Sequence, residues 1–456
     1  MGSTMVDSAI FKNFCGTERA RNIWCDEAML GYWFKIWIAL AQAEEEQGIV
    51  PKGTAEAIKE VSDISTYDLE EMRQKVEETT HPCIPLLWEI EKRAKNDLGK
   101  WAHWGMTLQD LTDTAFILAM KDTAEYHEEV LEAIIKRLLE LALEHKNSVM
   151  AGRTHQMHAV PITFGQKVSI YADELSRALI RLREDKGRIL KLQFSGAAGN
   201  LASLYVDGYD GQAVHNRMAE ILDIASSVAP WHNARDNMAE WAALLNTMCG
   251  SIGRMCGDLQ LLHKQEVGEV EEDFPRGRIG SSTLPHKRNP DTYENIWGMC
   301  WVVEALSSVA WSSMHVFHER DTSTMMADWY YTPLINITAT YCLETFNWCI
   351  DTVHIYRDRM VKNIDSSLGA LNAEHMLIAL GRKIGRMDAH HIIYEDAMDS
   401  YEQKRHLTDI FLQDTRVTAH FSEKEIREIM DPMHYIGRAE GIVDCVKKSA
   451  GSLLKK

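Results

Sequence analysis

The sequence predicts an all-α protein organised around a bundle of long helices. Strand signals are almost absent, and the 456 residues contain only 10 prolines, which leaves room for long uninterrupted helices. Apolar residues also recur at helical spacing along most of the chain. Because wide apolar faces occur on successive long helices, we expect the bundle to pack against other subunits.

The N-terminal part is predicted to hold one long helix followed by shorter ones. Residues 18–47 carry tryptophan, phenylalanine and leucine at the spacing of one helical face. The glycine and proline of Gly48-Ile49-Val50-Pro51 predict the end of that helix. We expect a shorter helical region over about 53–76, then a loop at Thr79-Thr80-His81-Pro82, then a further helix.

Longer helices are predicted from about residue 111. Their apolar stripes cover four stretches, 124–146, 163–192, 237–265 and 292–314. The last stretch is apolar nearly all round, which is typical of the middle of a bundle rather than its surface.

Past about residue 363 the pattern changes to shorter helices with charged spacers. We therefore predict three domains: an N-terminal helical domain (1–110), a central helical bundle with a functional loop at 276–290 (111–362), and a C-terminal helical domain (363–456).

Composition and charge narrow the function. Apolar residues make up 45% and charged residues 25%, as in soluble globular proteins. The net charge of −18 argues against nucleic acid or an anionic membrane as a partner. The longest apolar-rich stretch, 296–311, is too short to span a bilayer and contains Glu304. An anionic substrate would need a local cluster of cations, and Arg276, Arg278, Lys287 and Arg288 provide one.

The cysteines predict free thiols in a reducing compartment. The chain has 9 of them, an odd number, without a Cys-x-x-Cys pair or metal-ligand spacing. The first residues also lack a basic-then-apolar leader pattern. We therefore expect a cytoplasmic protein, and we expect neither a metal nor a cofactor.

One loop concentrates groups suited to binding a carboxylate. It reads Gly280-Ser281-Ser282-Thr283-Leu284-Pro285-His286-Lys287-Arg288-Asn289-Pro290. Glycine and proline at its ends predict irregular backbone, and the hydroxyls, amides and cations inside it are able to stabilise growing negative charge. For any single residue, a solvated basic loop is the simpler interpretation.

The whole string resembles the signature loop of the fumarase/aspartase superfamily, Gly-Ser-Ser-x-Met-Pro-x-Lys-x-Asn-Pro. Only Leu284 departs from it, and leucine for methionine conserves volume. The form with His286-Lys287-Arg288 is most similar to the branch of adenylosuccinate lyases and 3-carboxymuconate cycloisomerases. The resemblance implies that Ser281 is the base that removes a proton from carbon. It also implies that Ser282, Lys287 and Asn289 bind the substrate carboxylate.

A second stretch supplies a candidate acid. It reads Gly152-Arg153-Thr154-His155-Gln156-Met157-His158-Ala159-Val160-Pro161. Two histidines three apart are also compatible with metal ligation, but no third ligand accompanies them. The stretch resembles the adenylosuccinate lyase block in which the first histidine protonates the leaving nitrogen. This implies that role for His155 and substrate binding for Thr154, whereas cycloisomerases have an aromatic residue at this position.

A third stretch, Trp101-Ala102-His103-Trp104-Gly105-Met106-Thr107-Leu108-Gln109-Asp110, is a glycine-containing turn before a helix. Thr107 or Asp110 is suited to capping that helix. The stretch is also similar to the family block Gly-x-Thr-Ser-x-Asp, which implies that Thr107 and Gln109 contact the substrate. Leu108 replaces the family serine, so one hydroxyl donor is lost.

Two weaker matches and one departure from the family pattern complete the set. Thr80-His81 resembles the loop that supplies a second active-site histidine in adenylosuccinate lyases, although a capping or exposed histidine explains it equally well. His318-Glu319-Arg320-Asp321 resembles a block whose arginine binds substrate, with a helix-end salt-bridge cluster as the alternative for Arg320. By contrast, Cys15-Gly16 stands where adenylosuccinate lyases carry an Arg-Tyr pair, and this segment looks more like the cycloisomerases.

Together these features predict a homotetrameric lyase that eliminates fumarate from a substituted succinate, a small dicarboxylate, at active sites shared between subunits. A cycloisomerase of the 3-carboxymuconate type is the first alternative, and adenylosuccinate lyase proper is the second. A helical scaffold that has lost activity is a third. Against it stand Ser281, Lys287, Asn289 and His155, a set that a scaffold does not need.

Overall fold

The computed structural model describes residues 4–454, and it is predominantly α-helical as expected. The first three residues, which belong to the stretch that lacks a leader pattern, lie outside the described part. In chain order the α-helices are α1 (Glu18–Trp24), α2 (Asp26–Gln47), α3 (Thr54–Glu60), α4 (Leu69–Thr79), α5 (Ile84–Arg93), α6 (Leu108–Glu144), α7 (Phe164–Ile189), α8 (Ala202–Tyr205), α9 (Gly211–Leu222), α10 (Asp236–His263), α11 (Asp291–Ser312), α12 (Thr322–Thr352), α13 (Arg357–Asp365), α14 (Ala373–Ile384), α15 (Arg386–Gln403), α16 (Leu407–Phe411), α17 (Thr415–Thr418), α18 (Glu423–Ile429) and α19 (Ala439–Gly451).

Within residues 4–454, four short strands form two antiparallel pairs. Strand β1 (Val149–Thr154) pairs with β2 (Met157–Thr163), and β3 (Val270–Glu271) pairs with β4 (His354–Ile355). Short 3₁₀ helices lie at Lys12–Phe14, Ile64–Thr66, Lys95–Trp101, Ala370–Asn372 and Pro432–Tyr435.

Contacts divide the chain into two compact units that are each discontinuous in sequence. The first unit comprises the described residues of Met1–Glu129, Ala178–Gly253 and Ile296–Glu344. The second comprises Val130–Arg177, Arg254–Asn295 and Thr345–Lys456, again within the described residues. The division of the chain into three sequential domains remains a prediction.

The single helix predicted over 18–47 is wrong. Cys25 has extended backbone (φ −74°, ψ 166°) and separates α1 from α2. Asp26 and Glu27 then begin α2, where carboxylates interact favourably with the helix dipole. The helix ends where predicted, because Gly48 adopts the left-handed conformation that glycine tolerates (φ 73°).

Aromatic packing and buried charge pairs hold the first unit together. Phe34 and Trp37 are almost completely buried and meet edge to face, with ring centroids 5.8 Å apart. Arg235, only 1% exposed, donates hydrogen bonds to the carboxylates of Asp113 and Asp328. Since Asp113 lies in α6 and Asp328 in α12, this buried charge fixes both helices near the start of α10.

The helix α11 corresponds to the predicted apolar stretch 292–314, but not all of its faces are covered. Tyr293, Ile296 and Val303 are fully buried, whereas Trp301 and Trp311 are 60% and 53% exposed in the single chain. Such exposed apolar groups are typical of surfaces that other proteins cover, so subunit packing remains the expectation here. Within residues 4–454, no helix has both the length and the apolar character needed to cross a bilayer.

Residues 149–163 form a β-hairpin that the sequence did not predict. Thr154 pairs with Met157, so His155-Gln156 is a two-residue turn. Both turn residues have positive φ, 52° and 66°, which is the geometry of hairpin turns whose twist matches the strands. Asn-Gly usually occupies such turns, so His-Gln gave no turn signal.

The C-terminal part consists of short helices, as predicted. Helices α14, α15, α16 and α18 enclose an apolar cluster that includes Met376, Leu380, Phe411 and Ile426, each fully buried. This cluster gives the segment a core of its own within the second unit.

Candidate active site

The loop over 280–290 is irregular, which confirms the prediction, and it lies in the second unit. Ser281 is partly buried, and its Oγ accepts hydrogen bonds from the backbone N–H groups of Leu284 (3.0 Å) and Thr283 (3.3 Å). Donors aimed at one oxygen favour negative charge on it. The geometry therefore supports the Ser281 oxygen as a site where charge is stabilised.

The loop is closed by a contact between its two ends. The Asn289 amide donates to the backbone carbonyl of Gly280 at 2.6 Å. A Cβ on residue 280 would lie 2.4 Å from the backbone oxygen of Lys287, so only glycine permits this close approach. The side-chain nitrogen of Asn289 thus joins the two ends of the loop. Carboxylate binding by Asn289 remains a prediction.

The four cations near the loop are not equivalent. Arg278 pairs with buried Glu272 (2.6 Å), and Arg288 pairs with Glu271 (3.0 Å), so both charges are largely neutralised. Lys287 and Arg276 have no ionic partner in the described part of the chain. Lys287 is exposed and lines a cavity of about 1110 Å³ together with Asn289 and Lys264. It is therefore the loop cation most available to an anionic ligand.

The candidate acid His155 lies at the tip of the hairpin, also in the second unit. His155 and Thr154 are both exposed, and a positive φ is uncommon for a histidine. Such a backbone persists where the surrounding structure imposes it, and it is enriched at functional sites. His155 lines a second cavity, of about 370 Å³, together with Arg153 and Lys264.

A buried ion pair holds the hairpin in place. Both Arg153 terminal nitrogens bind the fully buried carboxylate of Glu269, at 2.7 and 2.9 Å, and Asn363 donates to the same group at 2.8 Å. On β2, partial burial and then the Arg153 charge lower the pKa of His158 below its ordinary value. This shift favours the neutral form of the His158 imidazole.

In the first unit, Asp110 organises the start of α6. This fully buried carboxylate accepts hydrogen bonds from the backbone N–H groups of Thr107 (3.0 Å), Ser195 (3.0 Å) and Gly196 (2.9 Å). Its other partners are His232 and Gln193, whose Nε2 atoms lie 2.8 Å and 3.4 Å from its Oδ1. The predicted cap at Asp110 is thus present, and it also fastens the small-residue loop at 195–196 to the Thr107 turn.

Two predicted substrate ligands meet beside this carboxylate. The Arg320 guanidinium donates to the Thr107 hydroxyl at 2.7 Å, and Arg320 is exposed. No carboxylate pairs with Arg320 in the described residues, so the salt-bridge alternative for it does not apply. A free guanidinium next to a hydroxyl suits bidentate recognition of a substrate carboxylate.

The remaining predicted residues of the first unit differ in accessibility. Gln109 is buried, and its amide donates to the backbone carbonyl of His232 at 3.0 Å. Leu108, which replaces the family serine, is partly exposed at the first position of α6. His81 follows α4 in the chain and is partly buried, and its Nδ1 lies 3.4 Å from the backbone nitrogen of Ile84. Substrate contact by Gln109 and His81 remains a prediction.

The predicted residues therefore form three local groups. Thr107 and Arg320 touch in the first unit, whereas the second unit holds the 280–290 loop and the hairpin tip. Lys264 was not predicted from the sequence, although it lines both the cavity beside Lys287 and the cavity beside His155. Its signal is weak, since it follows α10 among ordinary polar residues.

Comparisons with known proteins identify the family of this chain. A family model described as "Lyase" matches residues 7–304, and one described as "Adenylosuccinate lyase C-terminus" matches residues 369–446. The chain is 33% identical to an N-acetyl-S-(2-succino)cysteine lyase of Enterococcus italicus over 97% of each chain. It is also 33% identical to an adenylosuccinate lyase of Methanocaldococcus jannaschii, over 95% of this chain and 94% of that one.

A solved structure extends the similarity to the fold. The 3-carboxy-cis,cis-muconate lactonizing enzyme from Pseudomonas putida superposes with a TM-score of 0.92 at 30% identity. The match covers 98% of this chain and 100% of that one.

Proposed function

We propose a function from one premise: this chain is an enzyme of the fumarase/aspartase superfamily, in the branch of adenylosuccinate lyases and 3-carboxy-cis,cis-muconate cycloisomerases. The reaction of this lyase family is an elimination. We propose that the substrate is a substituted succinate and that fumarate is released. The atom that leaves carbon is nitrogen, oxygen or sulfur, and sulfur joins the set because one relative is a succinocysteine lyase.

The observation that carries this proposal is the environment of Ser281. A proton next to a carboxylate is weakly acidic, so its removal requires a positioned base and stabilisation of the charge that forms. Two backbone N–H groups point at the Ser281 oxygen and favour its deprotonated form. In the proposed reaction, Ser281 removes the carbon-bound proton, while Lys287, Ser282 and Asn289 bind the carboxylate on which charge accumulates.

The other groups complete the reaction. His155, at the exposed hairpin tip, donates a proton to the departing atom, since histidine exchanges protons near neutral pH. Thr107 and Arg320 bind a second carboxylate of the substrate, with Gln109, Thr154 and His81 as further contacts. Elimination then leaves the alkene, and fumarate departs.

Two features favour a second candidate, lactonisation of a carboxymuconate, over cleavage of a nucleotide substrate. Leu108 provides no hydroxyl at the first position of α6, and Cys15-Gly16 provides no charge before α1. A polar nucleotide group facing Leu108 would lose a hydrogen bond, at a cost of about 1–3 kcal/mol. His155 favours elimination, because a leaving group needs a proton and a lactonisation has no leaving group.

A substrate panel tests the proposal. The purified protein is incubated with N-substituted aspartates, N-acetyl-S-(2-succino)cysteine, adenylosuccinate and 3-carboxy-cis,cis-muconate, and fumarate is quantified by chromatography. We expect fumarate from a succinate without an AMP group, with kcat/KM of at least about 10⁴ M⁻¹s⁻¹. Turnover of the muconate without fumarate would establish the second candidate. Cleavage of adenylosuccinate at that efficiency would contradict the expectation that the substrate lacks an AMP group.

A further inference from the structure

Three buried thiols converge inside the first unit, and none of them is assigned to the reaction. They are Cys249 of α10, Cys300 of α11 and Cys342 of α12. Their sulfur atoms all lie within 4.8 Å of one another, and those of Cys300 and Cys342 are 3.9 Å apart. Cys249 and Cys342 are fully buried, and Cys300 is 6% exposed.

A glycine makes room for this convergence. Gly253 lies one helical turn after Cys249 on α10. A Cβ at Gly253 would come within 3.3 Å of the Cys300 Cβ and 3.4 Å of its sulfur, so any larger residue would crowd Cys300. The absence of a side chain at Gly253 therefore lets Cys300 approach the helix that carries Cys249.

The sulfur spacing is compatible with a three-coordinate metal centre. Metal–thiolate bonds of about 2.3 Å, arranged as a planar triangle, place the sulfurs about 4.0 Å apart. The 3.9 Å separation of Cys300 and Cys342 agrees with that value and is about twice the length of a disulfide bond. The three thiols are thus arranged like ligands rather than like a cross-link.

We propose that Cys249, Cys300 and Cys342 bind one Cu(I) ion. Soft thiolates select soft ions, and Zn²⁺ prefers four ligands where only three converge among the described residues. Binding through three thiolates releases three protons and leaves two net negative charges at the site. Because each ligand comes from a different helix, the ion ties α10, α11 and α12 together in the first unit.

Competition for Cu(I) tests this site. Two cysteines outside the cluster, Cys25 and Cys445, are accessible, so every protein carries Cys25→Ser and Cys445→Ser. Cu(I) is titrated anaerobically against a coloured Cu(I) chelator. We expect one equivalent bound per chain, and none in Cys300→Ala or Cys342→Ala. Cys349→Ala, which removes an equally buried thiol of α12 outside the cluster, should keep the full equivalent.

An equal equivalent in Cys300→Ala, or none in the parent protein, would overturn the proposal. A second measurement uses only the parent protein, so its result does not depend on whether the cluster variants fold. X-ray absorption of the loaded parent protein should show three sulfur neighbours at about 2.3 Å. Two sulfurs, or nitrogen and oxygen neighbours, would exclude the site. Bound Cu(I) should also raise the thermal midpoint by about 2 °C or more, since a ligand that binds only the folded chain stabilises it.

Discussion

At the scale of single residues, the most specific claim concerns the Ser281 oxygen. Ser281→Ala removes the group that the two backbone N–H donors face, and leaves those donors to water in a mostly exposed loop. We expect kcat to fall by about 10²–10⁴-fold, as for loss of a positioned base. Folding and assembly should be unchanged, as judged by circular dichroism and light scattering.

Thr283→Ala is the matched control for that variant. It deletes a neighbouring exposed hydroxyl, while the backbone N–H that Thr283 directs at Ser281 remains. Its activity should therefore be close to that of the unmodified enzyme. A Ser281→Ala protein with near-normal kcat would remove Ser281 from the mechanism.

The Thr107–Arg320 contact makes a separate prediction about binding. Arg320→Met removes an exposed cation that is free to grip a carboxylate. Charge-assisted hydrogen bonds contribute about 1.5–3 kcal/mol, so kcat/KM should fall by about 10–100-fold. Arg320→Lys keeps the charge but loses the planar fork, and should recover only part of this loss.

Steady-state kinetics over a range of substrate concentrations check this effect. Arg427→Met is the control, because it breaks an exposed ion pair with Glu423 on α18, and such pairs contribute little. If Arg320→Met and Arg427→Met behave alike, Arg320 does not bind the substrate.

Candidate site residues were easier to name from the sequence than their environments, and their roles remain predictions. Ser281, Lys287 and Thr107 follow from short motifs whose chemistry is local. The pairing of Arg288 with Glu271 was not visible, and neither were most of the five hydrogen bonds to the Asp110 carboxylate, because these partners are distant in sequence. Lys264 likewise became a candidate only once cavities were known.

At the scale of elements, hydrophobic periodicity identified the long helices but not their interruptions. Periodicity continues across Cys25, so one residue of extended backbone left the apolar pattern intact. The local signal was the acidic pair Asp26-Glu27, which is typical of a helix start. The hairpin was missed because its turn lacks Asn-Gly and Pro161 weakens the strand pattern.

The C-terminal helices carry a pH-dependent pair. Asp396 of α15 is buried, and that burial together with the nearby Asp414 carboxylate raises the pKa of Asp396 to about 7. The folded chain thus holds a proton that the unfolded chain releases near pH 4. The contribution of Asp396 to stability is therefore greatest at low pH and declines as pH rises toward about 7.

Asp396→Asn should remove this dependence, because a neutral amide neither loses a proton nor repels Asp414. We expect the variant to exceed the unmodified protein in thermal midpoint by about 2 °C at pH 8, and the difference to shrink toward pH 5. Glu402→Gln, an exposed change on the same helix, is the control. A difference that does not vary with pH would contradict the assignment.

At the scale of the whole molecule, the distribution of charge indicates small anionic ligands, and the exposed apolar surface indicates packing between subunits. The net charge of −18 is the basis for expecting no polyanionic partner, while within residues 4–454 local cations such as Lys287 and Arg320 have no carboxylate partner. Trp301 and Trp311 of α11 are exposed in the single chain. Covering these side chains in a homotetramer would bury apolar area that a monomer leaves in water.

In a homotetramer, the sharing of active sites between subunits is tested by mixing two inactive variants. Ser281→Ala and His155→Ala proteins should each be inactive alone, because the proposed base and acid are both required. If each site takes Ser281 from one chain and His155 from another, an equal mixture that is dissociated and reassociated contains sites in which both residues are intact. Random reassociation then restores about a quarter of the original activity.

Two measurements decide this prediction. Native mass spectrometry must show tetramers that contain both variants, and each variant passed alone through the same cycle must stay inactive. Mixed tetramers that remain inactive would mean that Ser281 and His155 of one site belong to the same chain. Recovery would instead explain why the hairpin tip and the 280–290 loop are both accessible in the single chain: each would face a group supplied by a neighbour.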